Sequence, residues 1–150
     1  MSDTKNMLKY EVYRTLYEKL NKAMSNRFFY EAIFIEYAFI EDRTAAILKY
    51  ARVPFVTKTG RDIPISEKLN RIENSPEFSD RFYKERLNED LLQKTRAWLD
   101  ERNDLVHHLA TIPYDHERIK KAAEEGYLLA RKLQNKSRSV INHLKTVDRK

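Results

Sequence analysis

A long apolar segment with helical spacing, from Phe28 to Tyr50, limits most strongly what this chain can fold into. Its apolar side chains recur at the three- and four-residue steps of an α-helix and leave little polar surface on any side. A helix of this kind is buried on most of its faces. The apolar members are Phe28, Phe29, Ala32, Ile33, Ile35, Phe39, Ile40, Ile47 and Leu48. We therefore expect this helix to lie at the centre of the fold.

The composition favours an all-α fold. The chain has 150 residues with only two glycines and four prolines, and 35% of its residues are charged. Long helices have this composition, whereas a sheet needs many turns. We expect one domain over residues 1–150, built as an up-and-down bundle of four to five main helices with a short helical insertion.

Periodicity and helix end signals predict the other elements. Residues 4–25 form the first helix, and residues 51–65, which hold two prolines and a glycine, form a loop. A short helix follows over 66–74, and a long helix from Asn88 to about Ala110 carries an inward line of side chains. That line is Leu91, Thr95, Trp98, Arg102, Leu105 and Leu109.

The last helix follows the turn at Pro113 and carries the basic charge of the protein. Between Arg118 and Lys150 there are ten Lys or Arg residues against three acidic ones, which gives this segment a formal charge of +7. The net charge of the whole chain is +6, so the first 117 residues together carry −1. Such a field attracts phosphates but confers no sequence specificity. Gly126 interrupts this helix at a cost of about 1 kcal/mol relative to Ala, which indicates a close approach of another helix.

Localisation and metal binding are constrained by absent residues. There is no cysteine for a disulfide or a thiolate metal site. The N-terminus has no apolar signal core, and Glu36 interrupts the longest apolar run. We expect a soluble cytoplasmic protein with no membrane segment.

Glu36 and Arg43 both fall on the apolar seam of the central helix. They are about 10 Å apart along its axis, too far for a direct pair, so each needs a partner on another helix. One hypothesis is an interhelical ion pair that sets the register of the bundle. The other is that both line a polar pocket together with the segment from Asp100 to Leu109.

That segment concentrates polar chemistry within a helix. Arg102 lies on the inward line, and His107 lies about 140° further around the helix axis. Asn103 and His107 are four residues apart, so the Asn103 amide can orient the imidazole, and Asp104 is placed in the same way to pair with His108. An imidazole that transfers a proton and a guanidinium that binds a phosphate suit phosphodiester cleavage.

Arg102-Asn103-x-x-x-His107 resembles the Arg-x(4–6)-His motif of the HEPN superfamily, in which a polar residue commonly follows the arginine. The order of helices resembles that of HEPN domains more loosely. These domains are helical bundles that commonly dimerise with their motifs facing across a cleft. Many are metal-independent endoribonucleases of toxin–antitoxin, abortive-infection and related defence systems.

The resemblance implies roles for particular residues. Arg102 would bind the scissile phosphate, His107 would act as general acid or base, and Asn103 would orient His107 or contact the phosphate. The RNA 2′-hydroxyl would attack without a metal or any other cofactor. Their positions in the sequence, rather than the resemblance, make Glu36, Arg43, Asp104 and His108 the expected supporting residues, and His108 is also the nearest competitor for the acid–base role. The expected partners are RNA, a second copy of the chain, and an antitoxin or a nucleotidyltransferase-like protein.

Two alternatives stay open beside the nuclease. The chain could be a non-catalytic HEPN-like module that binds RNA, a nucleotide or a protein partner, or a structural helical protein. A metal site built from His107, His108 and His116 is disfavoured because no H-x3-H or HExxH spacing is present. The tyrosines of the first helix are interpreted as core or dimer contacts rather than as base-stacking platforms.

Overall fold

The computed structural model of the chain describes the backbone of residues 2–148 and the side chains of residues 7–147. Six α-helices occupy most of this part of the chain, and a single 3-10 turn at Pro76–Phe78 links the third to the fourth. The helices are α1 (Ser2–Ser25), α2 (Phe29–Tyr50), α3 (Ile65–Asn74), α4 (Arg81–Arg86), α5 (Glu89–His107) and α6 (His116–Asp148). The predicted all-α fold is confirmed: four long helices and two short ones.

The predicted position of α2 at the centre is also confirmed. This helix packs most extensively on α6, and it also contacts α1 and α3. Twelve of its 22 residues are buried, including Phe39, Ile40 and Ile47. Phe34 is an exception, since 71% of its surface is exposed, and Phe28, immediately before the helix, is 58% exposed.

The end of α5 differs from its prediction. The helix ends at His107 rather than near Ala110. The backbone turns at His108, whose carbonyl oxygen accepts hydrogen bonds from the amides of residues 111 and 112. The helical conformation is disfavoured just before Pro113, so the chain leaves the helix early. Leu109 therefore lies outside α5 with 57% of its surface exposed, and its prediction as an inward residue was wrong.

Helices α2, α5 and α6 meet closely at Gly126, as the glycine indicated. A Cβ atom added at Gly126 would lie 2.7 Å from Nε1 of Trp98 on α5, and closer still to Oε1 of Glu36 on α2. The Trp98 indole also donates a hydrogen bond of 2.8 Å to the carbonyl oxygen of Ala122. The absent side chain at Gly126 thus lets α6 approach both neighbouring helices.

Replacing Gly126 with alanine tests this approach. Alanine favours the helix by about 1 kcal/mol, but overpacking a rigid core costs about 1–3 kcal/mol. We expect the upper part of that range, about 2–3 kcal/mol, because a ring and a carboxyl group would both have to move. We expect G126A to lower the free energy of unfolding by about 1–2 kcal/mol in urea denaturation. The exposed Glu124→Ala substitution on the same helix is the control and should change it by less than about 0.5 kcal/mol. A G126A variant as stable as the wild type would contradict the close approach.

Candidate functional site

Contacts at the middle of α5 determine where its polar C-terminal half lies. Trp98 is buried and bonded to α6, and Leu105 is buried two turns later. Arg102, four residues after Trp98 and three before Leu105, follows the same side of the helix. Its side chain is thereby directed along the surface where α5 meets α2.

The Arg102 guanidinium lies on the ring of Tyr37 from α2. Its Cζ atom is 3.9 Å from the ring centroid, a typical cation–π distance. One Nη1 group donates a 3.1 Å hydrogen bond to Oδ1 of Asn103, and the buried Nε has no partner among the described residues. Arg102 forms no ion pair with Glu36 or with any other carboxylate in the described part of the chain. The cation is oriented by an aromatic ring and keeps donors for an external anion.

His107 is exposed at the last position of α5. It makes no hydrogen bond or ion pair with any described residue. The expected contact with Asn103 is not formed among the described residues; the Asn103 amide oxygen accepts a hydrogen bond from Arg102. Arg102 and His107 also point about 140° apart around α5, so one chain does not bring the two side chains together.

Asp104 and His108 belong to a cluster that ties α5 to the first turns of α6. Nδ1 of His108 lies 3.2 Å from one carboxylate oxygen of Asp104, and Nη2 of Arg118 donates to the other at 2.6 Å. Arg118 also donates through Nε to Glu101 at 3.1 Å. The hydrogen bond from Arg118 holds the pKa of the Asp104 carboxyl below its usual value, with smaller effects from the nearby charges. The carboxylates neutralise Arg118, which makes it a structural cation rather than a ligand-binding one.

Two residues of α2 that bear on the surroundings of Arg102 were not predicted from the sequence. Tyr37 supports the guanidinium, and Phe34, one turn earlier on α2, leaves 71% of its surface exposed. Val106, one turn after Arg102, is 43% exposed. Both helices that meet at Arg102 thus carry apolar surface open to solvent within about one turn of that contact. Helical periodicity placed Tyr37 only on α2, and its contact with Arg102 depends on how α5 crosses that helix.

Glu36 and Arg43 form neither the interhelical ion pair nor the shared polar pocket that their positions on α2 suggested. Glu36 is fully buried beneath Gly126, and neither carboxyl oxygen has a hydrogen-bond partner among the described residues. Arg43 pairs with its neighbour Asp42 at 3.0 Å and lies 5.1 Å from the ring of Tyr13 on α1. The interhelical ion pair is absent from the described residues, and no contact among them joins either residue to Arg102 or His107.

The described residues contain no group of three or more His, Cys, Asp or Glu side chains placed to hold a metal ion. His116, one of the three histidines considered for such a site, lies 3.1 Å from Nη2 of Arg27 and 3.2 Å from the Tyr114 hydroxyl. Within residues 2–148, no helix combines the length and the apolarity needed to cross a membrane.

Comparisons with protein-family models, with curated proteins and with solved structures found no match to this chain. The likeness to HEPN domains therefore depends on the residues of the motif and on the all-α architecture. Membership of that superfamily stays a prediction.

The buried carboxyl of Glu36 generates a prediction about pH. Burial raises the pKa of Glu36 from 4.5 to about 9, so the folded protein keeps a proton there that the unfolded chain releases above pH 4.5. Between these two values the folded state binds more protons, and its stability falls as pH rises, by up to about 1.4 kcal/mol per pH unit.

We expect Glu36→Gln, which carries no titrating proton, to remove this component. The free energy of unfolding of the wild type should therefore fall more steeply between pH 5 and 8.5 than that of E36Q, as measured by urea denaturation. Glu41→Gln, an exposed change on the same helix, should keep the slope of the wild type. Parallel profiles for the wild type and E36Q would show that Glu36 is ionised in the fold.

Proposed function

We propose that this protein is a metal-independent endoribonuclease of HEPN type that cleaves RNA at a site completed by two copies of the chain. The observation that carries the proposal is the state of Arg102. Its guanidinium lies on Tyr37 beside Asn103 and has no carboxylate partner among the described residues. An oriented, unneutralised arginine at an exposed helix end suits the binding of a phosphate.

The proposed reaction uses the 2′-hydroxyl of the RNA as nucleophile. His107 of one protomer accepts the 2′-hydroxyl proton as the 2′-oxygen attacks the adjacent phosphorus. Arg102 binds the phosphate and stabilises the charge that grows on its oxygens, with Asn103 beside it as a further donor. The bond to the 5′-oxygen then breaks, and that oxygen takes up a proton from solvent, to which His107 returns the proton that it accepted. The products are a 2′,3′-cyclic phosphate and a 5′-hydroxyl end.

The positions of the Arg102 and His107 side chains support a dimer as part of the proposal. Since Arg102 and His107 point about 140° apart within one chain, a symmetric partner is needed to face one with the other. The exposed side chains of Phe34, one turn before Tyr37, and of Val106, one turn after Arg102, offer apolar surface for such a contact. An antitoxin or a nucleotidyltransferase-like protein would be a further partner of the nuclease. The proposed site of action is the cytoplasm, where the RNA substrate would be found.

A specific observation favours a second candidate, a non-catalytic module that binds RNA, a nucleotide or a protein partner. His107 has no described partner that would fix its tautomer, and Asn103 is bonded to Arg102 instead. A general base is ordinarily oriented by a second group. The two candidates differ in one measurable property, since the module binds without cutting.

The nuclease proposal predicts that R102A and H107A each reduce cleavage of a single-stranded RNA in EDTA by at least about 100-fold. Circular dichroism should report an unchanged fold. The matched control is Arg81→Ala, which removes an exposed arginine of α4 that pairs with Glu85 and should leave cleavage unchanged. Cleavage that needs a divalent metal, or that survives both substitutions, would overturn the proposal. RNA binding without any cleavage would select the second candidate.

Mixing the two inactive variants tests the shared site. In a heterodimer of R102A with H107A, one of the two sites keeps both Arg102 and His107. Random pairing makes half of the dimers mixed, so equal mixing should recover about a quarter of the wild-type activity. A mixture as inactive as its components would contradict a site shared between chains in this way.

A further inference from the structure

A second basic surface lies on another face of the bundle, and the motif does not use it. A cleft of about 420 Å³ opens between the first half of α1, the C-terminal half of α2 and the C-terminal half of α6. It is lined by Lys9, Tyr10, Tyr13, Arg14, Tyr17, Arg43, Tyr50, Gln134, Arg138, Ile141, Asn142 and Lys145. Five of these residues are Lys or Arg, four are Tyr and none is acidic. We call it the tyrosine cleft.

The tyrosine cleft is separate from the proposed nuclease site. Arg43 in the cleft and Tyr37 under Arg102 are six residues apart on α2, about 120° around the axis and about 9 Å along it. They therefore face different neighbours, α1 for Arg43 and α5 for Tyr37. A ligand on Arg102 leaves the cleft free.

Part of the positive charge in the cleft is not neutralised. Carboxylates outside the lining pair with three of its cations: Asp42 with Lys9 and Arg43, and Glu11 and Glu18 with Arg14. Arg138 and Lys145 form no ion pair with any described residue. Both lie on α6, the helix that carries most of the basic excess of the chain. These two cations are therefore free to bind an anion.

The aromatic wall of the cleft is rigid on one side and open on the other. Tyr13 and Tyr17 stack on Phe39, with ring centroids 5.3 and 4.4 Å apart. The Lys145 ammonium lies 5.0 Å from the ring of Tyr50, and Tyr10 leaves 65% of its surface exposed. Of the two roles expected for the tyrosines of α1, core contact or dimer contact, Tyr10 does not have the first. An exposed ring beside free cations can stack a base while the cations hold its phosphate.

We propose that the tyrosine cleft binds a nucleotide unit, with its phosphate between Arg138 and Lys145 and its base stacked on Tyr10. The volume of about 420 Å³ suits a ligand of this size. A nucleotide unit fits this combination of free cations and an exposed ring better than two simpler ligands would. A bare anion would need the cations but not the ring, and an apolar compound would need the ring but not the cations. The unit can be a free mononucleotide or part of a single RNA strand.

The test measures binding to the full chain by fluorescence anisotropy with a labelled 2′-O-methyl RNA 12-mer, which cannot be cleaved because its 2′-oxygen is blocked. Unlabelled AMP and inorganic phosphate serve as competitors. We expect R138Q/K145Q to weaken binding at least tenfold and to lower the slope of log Kd against log salt by about 0.7, the value for the single phosphate that the protein no longer neutralises. Displacement by AMP at micromolar concentration would identify a free nucleotide as the ligand, and failure of AMP to compete would identify the strand.

Two further variants separate the phosphate from the base. Tyr10→Ala should weaken binding of RNA and AMP about tenfold while leaving competition by inorganic phosphate unchanged. The charge-conserving R138K/K145R should keep binding within about threefold. The matched control, K121Q/K132Q, removes the same charge from α6 outside the cleft and should weaken binding by less than about threefold.

Two outcomes overturn the inference: equal weakening in R138Q/K145Q and K121Q/K132Q, or full binding by Y10A. The outcome is independent of the nuclease, because R102A and H107A should bind this uncleavable RNA at the cleft whether or not they cut other RNA. Loss of cleavage with binding retained concerns Arg102 and His107 alone. Loss of binding in R138Q/K145Q concerns the cleft alone.

Discussion

The close meeting of α2, α5 and α6 at Gly126 is the contact on which the arrangement of the other parts depends. The missing side chain admits the Trp98 ring and the Glu36 carboxyl, and the indole donates to the carbonyl oxygen of Ala122. Because three helices converge there, the rotation of α5 about its own axis is determined by packing. That rotation directs Arg102 onto Tyr37. Burial keeps Glu36 protonated, so the contact places no unpaired negative charge beneath the basic helix.

The arginines of this protein differ in the groups that their guanidinium ions contact. Arg118 lies between Glu101 and Asp104, and its charge is used to fasten the end of α5 to α6. Arg102 lies on an aromatic ring, which orients a guanidinium without neutralising it. Arg138 has no carboxylate among the described residues. Arg102, Arg138 and Lys145, which have no carboxylate partner among the described residues, lie at the two places where we propose that a phosphate binds.

Helical periodicity predicted correctly those features of the fold that depend on burial alone. It predicted the all-α fold, the central α2 and the close approach at Gly126, because apolar spacing and a helical glycine report local demands that the rest of the chain must satisfy. Predictions from periodicity were wrong where a side chain had more than one possible contact or where the helix ended early. Asn103 could reach His107 or Arg102, and it bonds to Arg102. Leu109 continued the apolar line, but the helix ends before it.

The sequence by itself determined which residues form helices, which faces of them are buried and where the basic charge lies along the chain. These properties depend on spacing within a single segment. Only the tertiary structure decided that Glu36 is sealed and neutral, that Tyr37 supports Arg102, and that tyrosines of α1 meet cations of α6. Each of those arrangements joins residues from different helices, and the angle at which two helices cross depends on the packing of many side chains at once.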